Sequence, residues 1–241
     1  VEDRLRLGPV AVMADDALWC HELYRFFRAG DEETLALRGV SLRVARGETV
    51  AVVGPSGSGK STLLACLAGL DEPAGGSVTI GGERISHRPE ARRARVRARR
   101  LGILLQSGNL IPHLTVRANI RLAQSAAGRR EAARPGAGGS LSPEQLLEEV
   151  GLDGRGGALV QELSGGEVAR AGLAVAVSNQ PDVLLADEPT GELDGQTEEL
   201  VLRLIRRQAD EGHGVLVVTH SASVSRIADR VISLHDGRIV A

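Results

Sequence analysis

The sequence predicts an α/β domain with a parallel sheet at its centre and an antiparallel β layer ahead of it. Three stretches carry that prediction. The apolar run Thr49-Val50-Ala51-Val52-Val53 passes through Gly54-Pro55-Ser56-Gly57-Ser58-Gly59-Lys60-Ser61-Thr62 into Leu63-Leu64-Ala65-Cys66-Leu67. Strand, glycine loop and helix in that order make GxxxxGKS/T a phosphate-binding loop rather than an ordinary Gly/Ser turn. A second apolar run, Val183-Leu184-Leu185-Ala186, ends in Asp187-Glu188. It puts carboxylates at the C-terminal tip of a buried strand, where α/β sheets bind ligands. Upstream, the apolar alternation over residues 35–44 lies between the turns Ala29-Gly30-Asp31 and Arg46-Gly47-Glu48, as antiparallel strands require.

Taken in order, residues 1–17 carry no strong pattern and read as a loosely held extension. Residues 18–27 are strand-like and hold all the aromatic side chains of the chain, Trp19, Tyr24, Phe26 and Phe27. Such a cluster either stacks a base or covers the edge of a sheet. After the glycine-loop helix, Gly69-Leu70-Asp71-Glu72-Pro73 ends it, and Gly75-Gly76 and Gly81-Gly82 bracket a short hairpin over 77–80. Arg92, Arg93, Arg95, Arg97, Arg99 and Arg100 follow as a basic run. A solvated helix face explains it better than a nucleic-acid site, because no aromatic residues interleave with the arginines. Leu101-Gly102-Ile103-Leu104-Leu105 reads as a buried strand ending at Gln106. Residues 125–140, rich in Ala, Gly and Arg, read as a flexible surface loop in a helical region. Ser142-Pro143-Glu144 then opens an amphipathic helix that ends at Val150-Gly151.

Composition narrows the function classes. The 241 residues suit one large domain or two small lobes, and 42% hydrophobic with 25% charged residues describes a globular protein. No apolar run approaches the ~20 residues needed to cross a bilayer. A net charge of −2 gives no electrostatic case for nucleic acid as a partner. Cys20 and Cys66 form no disulfide framework and are expected as buried, reduced thiols of a cytoplasmic protein. Val1-Glu2-Asp3-Arg4 opens without a signal-peptide apolar region.

The chemistry begins at the glycine loop. Its glycines let backbone N–H groups turn inward around phosphate oxygens, and the helix starting near Lys60 presents its positive end to the anion. Lys60 is the sole lysine of the chain. Arginine's planar fork cannot replace a compact ammonium in a tight phosphate cradle, so this lysine stands where the chemistry needs it. Lys60 should reach the β- and γ-phosphates and Ser61 should hold Mg²⁺. Asp187 would orient Mg²⁺ through its water shell, and Glu188 would act as general base on the attacking water.

At Leu163-Ser164-Gly165-Gly166-Glu167 the chain resembles the signature motif of ATP-binding-cassette (ABC) ATPases, and the resemblance runs from about residue 18 to the end. Gln106 falls at the family's Q-loop, Gly191-Glu192-Leu193-Asp194 at its D-loop, and His220 in Val217-Val218-Thr219-His220 at its switch histidine. Phe27 best matches the adenine-stacking aromatic, with Tyr24 as the alternative. The runs Asp187-Glu188-Pro189-Thr190 and Leu110-Ile111-Pro112-His113-Leu114-Thr115-Val116 resemble the macrolide-exporter and lipoprotein-release branch in particular. The resemblance implies a two-lobed cassette: residues 1–17 as extension, 18–241 as ATPase domain with a RecA-like core, and a helical subdomain at roughly 88–165.

The resemblance also implies a head-to-tail dimer that closes on two ATP molecules. Each site would join one subunit's phosphate loop to the other's signature segment. Ser164 at a helix N-cap, with the N–H groups of Gly165 and Gly166, would then point at a γ-phosphate across the interface. His220 would contact the same phosphate, Gln106 would join Ser61 and Asp187 around Mg²⁺, and Asp194 would couple the two sites. Singly, a helix cap explains Ser164 and a strand end explains His220. Two departures stand out. Glu167 occupies a position where much of the family has glutamine, and its charge repels a nearby triphosphate while favouring the helix start. Val168-Ala169 and Val175 replace polar residues common in the family. The expected function is ATP hydrolysis by the energy-supplying subunit of an exporter or lipoprotein-release transporter. It would act as a homodimer on the inner face of the cell membrane with a transmembrane permease as partner. The alternative is an ABC ATPase that regulates a membrane complex, such as a division or cell-wall-hydrolase controller. A chromosome-maintenance ATPase is disfavoured by the lack of heptads between residues 108 and 187, and a subunit with impaired hydrolysis by Glu188 and His220.

Overall fold

A computed structural model describes residues 15–29, 32–128, 141–191 and 193–240. Residues 1–14 of the expected extension and 129–140 of the expected surface loop lie outside them. Two expectations shift at those borders. The first strand, β1 (Asp16–Ala29), begins inside the supposed extension, with Ala17 fully buried. Ser125 and Ala126 belong to a helix, not to a loop.

Two sheets form the body. The first is antiparallel, in the order β2 (Glu32–Ala45), β1, β4 (Gly75–Ile80), β5 (Glu83–Arg84). The second runs β10 (Arg238–Val240), β9 (Arg230–His235), β3 (Thr49–Val53), β8 (Gly214–Thr219), β7 (Val183–Asp187), β6 (Leu101–Leu104). All its pairings are parallel except that of β10 with β9. Its central strands are continuous apolar runs because both faces are covered. Val50, Val52, Leu185, Leu216 and Val218 enter the core beneath the antiparallel sheet, with helix α1 (Lys60–Leu67). Ala51, Leu184, Ala186, Val215 and Val217 face the core on the other side, against helices α5 (Gly165–Val177) and α6 (Gly195–Asp210). The period-2 pleat assigns alternate residues to the two cores. Each fully buried leucine or valine contributes roughly 1.5–3 kcal/mol.

Among the described residues between 88 and 165 lie α2 (Glu90–Arg100), the sheet strand β6, α3 (Val116–Ala126), α4 (Pro143–Glu149) and two 3-10 turns, Arg155–Gly157 and Val160–Glu162. The basic run occupies α2, and several of its arginines are turned to structure while Arg95 is exposed. Arg93 pairs with Glu72 and Glu90 at 2.7 Å each, Arg97 with Glu90 and the Gly69 carbonyl, and Arg99 donates to the Ala127 carbonyl at 3.0 Å. Both cysteines are buried and burial pushes their thiols up to about 12, so they stay protonated.

A bulge decides which aromatic residues share a face of β1. Along β1, Leu18 and Cys20 are buried, then Glu22 takes a φ of 44° and the register slips, so that Leu23 is the next buried residue. The extra residue resets the alternation. Leu23, Arg25 and Phe27 therefore share one face, and Tyr24 and Phe26 share the other. Gly76, with a φ of 88°, passes the bulge so closely that a Cβ there would stand 2.3 Å from the Glu22 carbonyl oxygen.

Candidate functional site

Parallel topology sets three strand tips side by side. β8 lies between β3 and β7, so the loops after all three open on one edge of the sheet. There they line a cleft of about 880 Å³. The loop after β3 supplies its floor. Gly57 and Gly59 hold φ values of 78° and 101°, a region costly for any side-chain-bearing residue. A Cβ on Gly59 would lie 2.5 Å from the Ala36 carbonyl oxygen, and one on Gly54 2.2 Å from that of Leu234. The Ala36 carbonyl reaches Gly59 because β2 carries an extra residue there: Arg25 pairs with Leu37 but Phe26 with Leu35. Lys60 Nζ donates to the carbonyls of Gly54 and Pro55 at 2.8 and 3.0 Å, which places the ammonium over the loop. Pro55, Ser56, Ser61 and Thr62 also line the cleft, whereas Ser58 is buried behind it.

The acidic pair divides its work by geometry. Asp187 ends β7 and accepts a hydrogen bond from Ser61. Burial and the neighbouring Glu188 raise its pKa, opposed by Ser61 and Lys60. Glu188 follows with a φ of 44°, an unfavourable backbone for a glutamate that costs about 1–3 kcal/mol. The strain is held by its N–H on the Val218 carbonyl at 2.9 Å. Its carboxylate is fixed from three sides. Buried Thr219 donates through Oγ1 at 2.8 Å, the His220 N–H at 3.0 Å, and His220 Nδ1 lies 2.6 Å away. An ionised carboxylate only accepts, so Nδ1 carries the proton of that bond.

Gln106, exposed just past β6, lines the same cleft. Asn109 braces the residue before it, accepting from the Leu105 N–H at 2.7 Å and donating to its carbonyl at 2.6 Å. Gln106 also borders a smaller groove of about 250 Å³ with Gly165, Val168 and Ala169 of α5 and Leu193. Phe27 lines the cleft at its β1 side, while Tyr24 packs its hydroxyl over Gly39 on the opposite face of the strand.

The remaining predicted residues stand outside the cleft. Ser164 caps α5, accepting from the Glu167 N–H at 3.3 Å, and Glu167 answers by accepting from the Ser164 N–H at 2.8 Å. This is the capping box expected from the sequence. Gly165 and Gly166 form the first turn of α5, and a Cβ on Gly166 would meet Thr197 at 2.6 Å. Asp194 caps α6, accepting from the N–H groups of Gln196 and Thr197 at 3.1 Å each and from the Thr197 hydroxyl at 2.7 Å. Within one chain, then, Phe27, Lys60, Gln106, Asp187, Glu188 and His220 converge, and Ser164, Gly165, Gly166, Glu167 and Asp194 do not.

Sequence reasoning missed several contributors. The turn Asp236-Gly237 joins β9 to β10, lines the cleft and braces the glycine loop, with the Gly237 N–H on the Ser58 carbonyl at 3.0 Å. An Asp-Gly pair between apolar runs is a hairpin signal that could have found it. Arg155, 2.9 Å from Glu167, carried no signal at all.

Comparison with known proteins identifies the family and the fold. Residues 37–191 match the family described as ABC transporter. The chain is 41% identical over 228 residues to the Escherichia coli protein named uncharacterized ABC transporter ATP-binding protein YbbA, covering 94% of this chain and 97% of that protein. It is 39% identical over 219 residues to the macrolide export ATP-binding/permease protein MacB of Shigella flexneri, covering 91% of this chain. The match spans only 33% of that MacB, about a third of its length. Among solved structures, the dimeric bacterial ABC transporter cassette MJ0796 superposes with a TM-score of 0.82 at 32% identity, covering 93% of this chain and 97% of that one. The same cassette in a dimeric post-hydrolysis state bound to ADP and Pi superposes at 0.83. The chain belongs to the ABC transporter family, as an ATP-binding cassette of its ATPases.

Proposed function

We propose that two copies of this cassette close head to tail around two ATP molecules and, by hydrolysing them, drive a transmembrane permease of the export or lipoprotein-release type. The dimer would work against the inner face of the cell membrane. Among the described residues no helix is long and apolar enough to cross a membrane, so movement across it belongs to the permease. The MacB relatives are named for export and for joining ATP-binding and permease functions, which supports this reading.

The observation that carries it is the Glu188 carboxylate, held by Thr219 and His220 at the rim of the cleft that Lys60 floors. Lys60 and the loop N–H groups bind the β- and γ-phosphates, and Phe27 stacks the base. Glu188 takes the proton of the attacking water, and His220 stabilises charge on the γ-phosphate. Ser164, Gly165, Gly166 and Glu167 present the N-terminus of α5 to the partner's nucleotide. Asp194 lies between the two sites and couples them. Among the described residues no group of three or more His, Cys, Asp or Glu is placed to hold a metal unaided. The donors present are the Asp187 carboxylate, the Ser61 hydroxyl and the Gln106 amide oxygen. Such a hard but incomplete oxygen set fits Mg²⁺, which takes its other ligands from phosphates and water. When bound there, Mg²⁺ supplies charge neutralisation to the β- and γ-phosphates.

The test is ATP turnover and oligomeric state of wild type and Glu188→Gln, with and without Mg-ATP. The expected outcome is loss of turnover by at least about a hundredfold, on the scale of general-base catalysis. An ATP-bound dimer should accumulate at the same time. A Glu188→Gln protein that hydrolyses at the wild-type rate overturns the assignment of the base.

A further inference from the structure

The base side of the cleft is held by a residue that does not line it. Arg25 and Phe27, two residues apart, share one face of β1, and the bulge at Glu22 sets which face that is. The Arg25 guanidinium carbon stands 4.7 Å from the centre of the Phe27 ring, within cation–π range. Arg25 is itself fixed, its Nε donating to Asp71 Oδ2 at 2.8 Å, with both side chains mostly buried. Asp71 closes the C-terminal end of α1, its N–H on the Ala65 carbonyl at 3.1 Å, and Asp71 Oδ1 accepts from the Glu72 N–H at 2.8 Å. The N-terminal end of the same helix is Lys60.

We propose that Arg25 is a positioning residue for the nucleotide base, holding the Phe27 ring at a fixed reach from the phosphate loop through Asp71 and α1. One short helix then sets both ends of the site: the phosphate cradle at its start and, through two side chains, the stacking ring at its finish. The guanidinium covers one face of the ring and leaves the other for a ligand. By drawing on the ring's electron density it also makes the free face a better surface for a purine. Freezing the ring before the ligand arrives reduces the ordering cost of binding. The inference rests on the reading of Phe27 as the base-stacking residue.

The experiment compares binding of ATP with binding of inorganic tripolyphosphate, which has charge but no base, by calorimetry in Mg²⁺. Arg25→Gln and Asp71→Asn should each raise the Kd for ATP about two- to fivefold, the scale of an exposed cation–π contact, and leave tripolyphosphate unchanged. Arg25→Lys, which keeps the cation and the ion pair, should restore most of the loss. In a Phe27→Ala background Arg25→Gln should have no further effect. Equal losses for ATP and tripolyphosphate, or additive losses with Phe27→Ala, mean a general scaffold role and overturn the inference. A weakened Phe27→Ala protein with unaltered Arg25→Gln and Asp71→Asn overturns the inference alone. An unaltered Phe27→Ala protein overturns the stacking reading and the inference with it.

Discussion

Asp187 is a carboxylate kept at a cost. Half-buried beside Glu188, it has a pKa raised above the ordinary carboxylate range, and Ser61 and Lys60 offset only part of that. The sign follows by linkage. A group with a raised folded-state pKa favours folding below its unfolded value, and that contribution is lost as pH rises through the folded value. Near neutral pH, therefore, the ionised Asp187 opposes folding, as residues tuned for function commonly do. Asp187→Asn, which removes that charge, should raise the melting temperature of the nucleotide-free protein at pH 7. The gain should fade as the pH falls below the carboxylate range, and Mg-ATP should stabilise the variant less than wild type. Thermal unfolding across pH with and without Mg-ATP checks this, and a variant less stable than wild type at pH 7 without ligand contradicts it. At this scale the sequence was informative. The glycine loop and the acidic pair are each a run of residues whose types are demanded by local backbone shape or by a single charge. Such demands show without knowledge of the fold, whereas His220 was legible only through a family resemblance.

At the scale of elements, the start of α5 keeps the cap its sequence suggested and adds a counter-charge that the sequence did not show. Glu167 reads as an uncompensated charge facing a triphosphate, yet both of its carboxylate oxygens are engaged. Oε2 accepts from the Ser164 N–H and Oε1 from Arg155 Nε at 2.9 Å, and these partners hold its pKa below the usual range. Arg155 also donates to the Glu162 carbonyl at 2.6 Å, so it ties the preceding 3-10 turn to the helix and supplies a counter-charge. Glu167→Gln should therefore change ATP-driven dimerisation little. Arg155→Gln frees the negative charge and should raise the ATP concentration needed by about two- to fivefold, as charges at helix starts typically do. The double variant should recover. Sedimentation in a Glu188→Gln background measures all three, and an unrecovered double variant shows that Arg155 acts by holding the turn instead. The elements missed from sequence share this character. Arg155 meets Glu167 across a loop, and the bulges at Glu22 and Ala36 arise from cross-strand register. Neither leaves a local mark, so the sequence ranks Phe27 above Tyr24 by motif position alone and does not show that the two lie on opposite faces of β1.

For the whole molecule, the two-layer plan was legible because its apolar runs switch from alternating in the antiparallel sheet to continuous in the parallel one. What joins the layers was not, since it consists of polar residues far apart in sequence. Asp182 is the clearest case, its side chain only 1% exposed. Arg46, in the turn between β2 and β3, reaches its Oδ1 at 3.0 Å, and Arg100 at the end of α2 reaches its Oδ2 at 2.9 Å. Gly81, after β4, adopts a φ of 52° and sits so close that a Cβ would fall 2.5 Å from the same carboxylate. The backbone joins in, with the Asp182 N–H on the Arg100 carbonyl at 2.8 Å and its carbonyl accepting from Gly214 at 2.9 Å. One residue thus ties the antiparallel layer, the first helix after it and two strands of the parallel sheet. Removing the carboxylate strands neither guanidinium fully, because both keep about a third of their surface in water and Arg100 also pairs with Glu83 at 3.3 Å, but it leaves a buried side chain short of two charged hydrogen bonds, at about 1–3 kcal/mol. Asp182→Asn should lower the unfolding free energy by roughly that amount, seen as a lower urea midpoint with an unchanged slope. Arg46→Gln should cost less, because the carboxylate keeps Arg100. Because Asp182 does not line the cleft, the folded fraction of Asp182→Asn should hydrolyse ATP at the wild-type rate. A wild-type urea midpoint in Asp182→Asn would mean that the apolar cores alone join the two layers.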